Sequence, residues 1–168
     1  MKLSMRIDAP NAEEGDSNTP DFPDIEIYNS EKFLRVLESE LVEIYPASKN
    51  YEDVEISLTF MNPDEIREIN REYRNVNEAT DVLSFPLIDE NTPVEIPELP
   101  VLSLGDIVIC PEEVARLHPE LNQQEAMLLM IAHSFLHLLG YDHETDEKQA
   151  IMWDKQEAIK RELLEAIR

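Results

Sequence analysis

The chain has 168 residues, 42% of them apolar and 30% charged, the size and balance of one globular domain with its own core. Its 37 acidic residues outweigh 14 basic ones for a formal charge of −23, which confines any nucleic-acid role to a local basic patch. The three glycines, Gly15, Gly105 and Gly140, lie too far apart to build a phosphate-cradling loop or a dinucleotide fingerprint, so glycine-cradled nucleotide binding is excluded.

The first ten residues carry charge at Lys2, Arg6 and Asp8 and lack the apolar stretch of a secretory signal. A short first strand is expected at one of two alternating stretches, Leu3-Met5-Ile7 or Ile25-Ile27, and the pattern alone does not choose. Asp8, Glu13, Glu14, Asp16, Asp21, Asp24 and Glu26 follow Arg6 with no base among them, broken by Pro10, Gly15, Pro20 and Pro23. Residues 8–26 therefore read as an exposed acidic arm or loop. From Ser30 to Tyr45, Phe33, Leu34, Leu37, Leu41, Ile44 and Tyr45 recur at helical spacing, and Pro46 ends the run. Val54, Ile56, Leu58 and Phe60 alternate as a strand with one buried face. Asn62-Pro63-Asp64-Glu65 supplies an N-cap, a proline for the first helical position and a capping-box glutamate. The helix it opens should reach about Arg74 and bury Ile66, Ile69 and Tyr73.

Asp81–Phe85 and Leu104–Cys110 read as buried strands, joined by a long irregular connection holding Pro86, Pro93, Pro97 and Pro100. Pro111–Leu117 is expected as a short helix ended by His118-Pro119, with His118 on the surface. Asn122 and Glu125 open a helix that is apolar on every side from Met127 to Ala132, belongs in the middle of a domain, and ends at Gly140. Thr145 caps a last helix carrying Ile151, Met152, Ile159, Leu163 and Ile167, in which Met152 and Trp153 read as core. The lone Cys110 reads as core and, unable to form an internal disulfide, suits a reducing cytoplasm. No apolar run approaches the length of a membrane span. The order β-α-β-α-β-β-α-α-α gives four strands and about five helices in a single α+β domain over residues 1–168.

His133 and His137 are four residues apart on the central helix, so both imidazoles leave the same face, about 6 Å apart along the axis. Gly140 breaks the helix and the chain returns to offer His143. Three of the four histidines thus fall within His133-Ser-Phe-Leu-His137-Leu-Leu-Gly140-Tyr-Asp-His143. Two histidines at this spacing are commonly core or surface residues; a third after a glycine break on an apolar helix reverses that balance. Without a metal, the cluster would bury unpaired nitrogens or force cations together. Three imidazoles closing on one point with a fourth position open form the arrangement of a catalytic zinc site. One zinc ion per chain, or another divalent transition metal such as nickel, is expected on His133, His137 and His143. The spacing also fits the metzincin peptidase pattern H-E-x-x-H-x-x-G-x-x-H, except that Ser134 stands where the peptidases carry their catalytic glutamate. A serine near pH 7 cannot act as that base. A metallopeptidase stays only as an alternative in which Asp142 or Glu144 serves instead.

Three segments taken together, Tyr73-Arg74 with Thr80-Asp-Val-Leu-Ser-Phe-Pro86, Leu104-Gly-Asp-Ile-Val-Ile-Cys110, and His133 to His143, resemble the YbeY family of bacterial endoribonucleases, also described as rRNA maturation factors. Order and spacing match over roughly residues 52–165. The family motif usually has glycine after the first histidine, where this chain has Ser134. The resemblance implies a four-stranded mixed sheet with helices, a zinc-type ion on three histidines, and hydrolysis of single-stranded RNA. It also implies maturation of small-subunit rRNA, contacts with ribosomal proteins or an assembly GTPase, and an arginine, Arg74, facing the cleft.

Arg67, Arg71 and Arg74 fall at i, i+4 and i+7, one stripe of one helix. For Arg67 and Arg71 a solvated face beside Glu68 and Glu72 is an equally good reading. Arg74, at the helix end, is placed to bind a scissile phosphate and stabilise its developing charge. Thr80, Ser84 and Ser134 are further candidates for substrate contact. Asp106 reads either as a support for the site or as a turn residue, and Asp142 either as a partner orienting an imidazole or as a cap for the last helix. A water with its pKa lowered by the metal is expected to attack phosphorus or to take a ribose 2′-OH proton; the sequence does not choose. A non-catalytic ribosome-assembly factor with a closed structural metal site is the third reading, and it requires a fourth protein ligand.

Overall fold

Alternation alone leaves two places for the first strand, and long-range pairing decides between them. Leu3 and Met5 are buried from β1 (Lys2–Asp8), which pairs in parallel with β2 (Asp53–Phe60) along its whole length. Ile25 and Ile27 instead belong to the short helix α1 (Ile25–Tyr28), begun by the Asp24 carboxylate accepting the Glu26 N–H. The computed structural model describes residues 1–9, 24–88 and 101–168. The acidic segment 10–23 and the proline-rich stretch 89–100 lie outside the described residues.

Ser30 caps α2 (Glu31–Ile44), which buries Phe33, Leu37 and Leu41, and Pro46 opens a 3-10 turn to Asn50. Past β2, the capping box at Asn62 and Glu65 starts α3 (Pro63–Arg74), and Asn75 closes it in the left-handed conformation. β3 (Val82–Pro86), β4 (Val101–Ile109), α4 (Pro111–Leu117), α5 (Gln123–Leu138) and α6 (Asp146–Ala166) complete the order. The strands make one mixed sheet, β1-β2-β4-β3, parallel except for the antiparallel edge strand β3. This is the expected α+β architecture, with α1 as a sixth helix among the described residues.

One face of the sheet packs on α2, α5 and α6, and Ile66 of α3 packs with Leu83, Val108 and Cys110 in a smaller cluster. β4 faces both clusters by alternation, and the register shift between Ser103 and Gly105 lets Leu102 and Leu104 before it and Ile107 and Ile109 after it join the same larger cluster, while Val108 and the following Cys110 join the smaller. Gly105 (φ +144°) is required there, since a Cβ would lie 2.3 Å from the Phe85 carbonyl oxygen and 2.8 Å from Leu138 Cδ2. α5 buries Ala126 to Ala132 without a break, at about 1.5–3 kcal/mol per large apolar side chain. That anchoring makes α5 a rigid mount for what it carries.

Three residues expected on the apolar faces of their helices, Tyr73, Ile151 and Trp153, are exposed. In α3 the buried positions are Ile66 and Asn70, whose amide donates to the Glu78 carbonyl at 2.9 Å, while Tyr73 turns outward. In α6 the buried stripe is Met152, Gln156, Ile159 and Leu163, leaving Trp153 and Ile151 exposed and Ile167 half-buried. Helical period locates a stripe only to within a residue, and in both helices the stripe includes a hydrogen-bonding amide side chain that hydropathy does not flag.

Candidate metal centre and its cleft

The chain reversal after α5 builds the centre. The N–H of Tyr141 donates to the Leu136 carbonyl at 3.0 Å and that of Gly140 to the His137 carbonyl at 3.1 Å, with Gly140 at φ +94°. These two bonds are a Schellman motif, and they return the chain across the last turn of the helix. The Tyr141 carbonyl thereby accepts the Nδ1–H of His137 at 2.8 Å, and His143 comes back over the helix face.

His133, His137 and His143 each bring a ring nitrogen within 4.8 Å of the others. His133 and His137 face one another Nε2 to Nε2 at 3.0 Å. A carbonyl can only accept, so Tyr141 fixes the proton of neutral His137 on Nδ1 and leaves a lone pair on Nε2. Gln156 Oε1 lies 2.9 Å from His133 Nδ1 and does the same for that ring. Two half-buried lone pairs aimed at each other repel unless a cation lies between them. This donor set therefore fits a divalent metal, with both rings oriented by the outer hydrogen bonds such ligands use. Burial, and then the neighbouring His133, bring His137 down to about 4; burial lowers His133 too. Both rings are neutral and ligand-competent at physiological pH. Among the described residues no fourth His, Cys, Asp or Glu joins the cluster, so the described donors number three.

The histidines face a cleft of about 810 Å³ between the edge strand β3 and α6. Arg74, Thr80 and Ser84 line it. Arg74 is exposed and, among the described residues, has no ion-pair partner. His118, expected on the surface, is partly buried and lines the same cleft, its Nε2 3.0 Å from Asp81 Oδ2. The long-range fold explains this: the Asp81 backbone carbonyl accepts the Cys110 N–H, which brings the end of β4 and the start of α4 beside β3.

Other candidates lie elsewhere. Arg67 and Arg71 are exposed outside the cleft, Arg71 paired with Glu68 at 2.7 Å. Ser134, rotated 100° from His133, is fully buried and its hydroxyl has no hydrogen-bond partner, so it meets no substrate. Asp106 is exposed on β4, away from the cleft. Asp142 accepts the Glu144 N–H at 3.2 Å and pairs with Lys148 at 3.5 Å, touching no imidazole; the Glu144 bond holds its carboxyl below the usual range. The groups that do orient the rings, Gln156 and the Tyr141 carbonyl, escaped the sequence reading. Gln156 had a visible signal, a polar residue within the apolar stripe of α6; the carbonyl had none.

Comparison with known proteins agrees with this geometry. A family model described as endoribonuclease YbeY matches residues 22–164. The chain is similar to an endoribonuclease YbeY of Clostridioides difficile, 40% identical over 136 residues, covering 80% of this chain and 88% of that one. It is also similar to an endoribonuclease YbeY of Alkaliphilus oremlandii, 44% identical over 109 residues, covering 64% and 70% of the two chains. A Thermotoga maritima protein solved in solution superposes with a TM-score of 0.51 at 29% identity, over 95% of this chain and 88% of that one.

Proposed function

The chain belongs to the endoribonuclease YbeY family, and from that premise we propose that it cuts single-stranded ribosomal RNA during maturation of the small subunit, using one zinc-type ion on His133, His137 and His143. The observation that carries this reading is the pair of proton-free Nε2 atoms 3.0 Å apart, each held by an outer hydrogen bond, at the floor of a cleft. A zinc-type ion there supplies Lewis-acid activation. The three described donors support catalysis over a structural metal, and the buried Ser134 gives the peptidase alternative no base at that position. Contacts with ribosomal proteins or an assembly GTPase, and work in the cytoplasm, go with the same reading; no described helix is long and apolar enough to cross a membrane.

The chain's own groups then divide the work. Gln156 and the Tyr141 carbonyl hold two imidazoles in one tautomer. Arg74, with no ion-pair partner among the described residues, binds the scissile phosphate through two parallel N–H bonds and opposes the charge that grows on it. Thr80 and Ser84 supply hydroxyl donors beside it. Arg74→Ala should lower RNA cleavage by about 10²–10³-fold while keeping metal and fold, and Arg74→Lys should recover only part, since a point charge does not reproduce the fork. Full cleavage by Arg74→Ala would remove Arg74 from the phosphate.

A further inference from the structure

Among the described phenylalanine, tyrosine and tryptophan side chains, only Tyr73, 64% exposed, and Trp153, 38% exposed, present substantial surface to solvent. A single exposed apolar side chain is ordinary on a protein surface, so what matters is where these two lie. Both line the cleft that holds the histidines. They reach it from different elements, Tyr73 from the end of α3 beside Arg74, and Trp153 from α6, three residues before Gln156. Tyr73 is steadied by Phe85, ring centroids 5.3 Å apart and crossing at 66°. Trp153 crosses His133 and His143 at 77° and 72°, with centroids 5.8 Å and 5.6 Å away, so it stacks flat on neither.

The charge of the cleft makes these rings more telling. Arg74 is the only Lys or Arg among its described lining residues, while Asp81 and Glu157 also line it. In a chain of net charge −23, phosphate contacts can supply little of the affinity for a polyanion. Stacking on a base does not depend on charge, and any base can use it once its face is free.

We propose that Tyr73 and Trp153 are stacking platforms for unpaired nucleobases, Trp153 holding a base beside the metal centre and Tyr73 one beside the phosphate-binding arginine. The assignment rests on the endoribonuclease reading of the cleft and goes past it, naming the side chains that select a single strand. A paired base has both faces covered by its neighbours and cannot reach them.

Trp153 is the only tryptophan in the chain, so its fluorescence reports on this site alone. The probe is an end-labelled 2′-O-methyl strand of about ten nucleotides, compared with a strand of equal charge that is abasic throughout. Binding is followed by the anisotropy of the label and, separately, by Trp153 emission. The base-bearing strand should quench Trp153, and the abasic strand, which loses both stacks, should bind at least about thirtyfold more weakly without quenching. Tyr73→Ala, which touches no metal ligand, loses one stack and should weaken the base-bearing strand about five- to a hundredfold, and Tyr73→Phe, which keeps the ring, should restore it. Equal binding of the abasic strand, or wild-type binding by Tyr73→Ala with no quench in the parent protein, would overturn the stacking assignment and leave the ribonuclease reading intact. Failure of any strand to bind, together with no RNA cleavage, would overturn both.

Discussion

Gln156 stands in the buried stripe of α6 between Met152 and Ile159, where an apolar side chain would pack better. Its carbonyl oxygen holds the Nδ1–H of His133, so the stripe gives up one core position to orient a metal ligand. Gln156→Leu keeps the size and burial of the side chain and removes only that bond. Metal affinity, read by competition with a chelator, should fall about 10–100-fold while the fold is kept. Unchanged affinity would show that packing alone sets the ring. Single residues also mark where sequence reading works and where it stops. His133, His137 and His143 are legible because their spacing is local and a helix turns it directly into geometry. Tyr73 and Trp153 are not, because an aromatic residue at helical spacing fits a cleft wall as well as a core; His118 is not, because the bond from the Cys110 N–H to the Asp81 carbonyl that draws its helix to the cleft joins residues far apart in sequence. Ser134 is legible as a departure from the family motif, but its burial depends on how α5 packs.

At the scale of elements, the Schellman turn after α5 makes one helix into a three-ligand centre. Gly140 sits at φ +94° with nothing within 4 Å of where a Cβ would be, so the position demands glycine for its backbone and not for space. Gly140→Ala should therefore cost about 1–2 kcal/mol of stability in denaturant unfolding. It should also weaken metal binding, because the same turn brings back Tyr141 and His143. A destabilised variant with wild-type metal affinity would separate the turn from the site. Helices α2 to α6 and strand β2 were readable because capping residues and periodicity act within a few residues. The choice of β1 over Ile25-Ile27, the start of β4 at Val101 and the register shift at Gly105 were not. Each is fixed by strands or backbone far away in sequence, such as the Phe85 carbonyl that excludes a side chain at 105.

The whole molecule sets a strongly acidic chain to work on a polyanion, and the distribution of its charge gives this a measurable consequence. With Arg74 the only Lys or Arg among the described lining residues, few counterions are released when single-stranded RNA binds. The slope of log K against log salt should be shallow, about −0.7 for the one lining arginine, since each phosphate neutralised on a single strand contributes about −0.7. Salt also screens the repulsion from the remaining acids, which flattens the slope further. A slope steeper than about −3 would mean that a basic surface elsewhere carries the RNA. In the proposed function, three imidazoles convert this fold into a metal-dependent ribonuclease. The most direct test of that function is zinc titrated into metal-free protein while cleavage of single-stranded RNA is followed. Activity should rise from near zero in proportion to added metal and level off at one equivalent per chain; full cleavage by the metal-free protein would contradict the account.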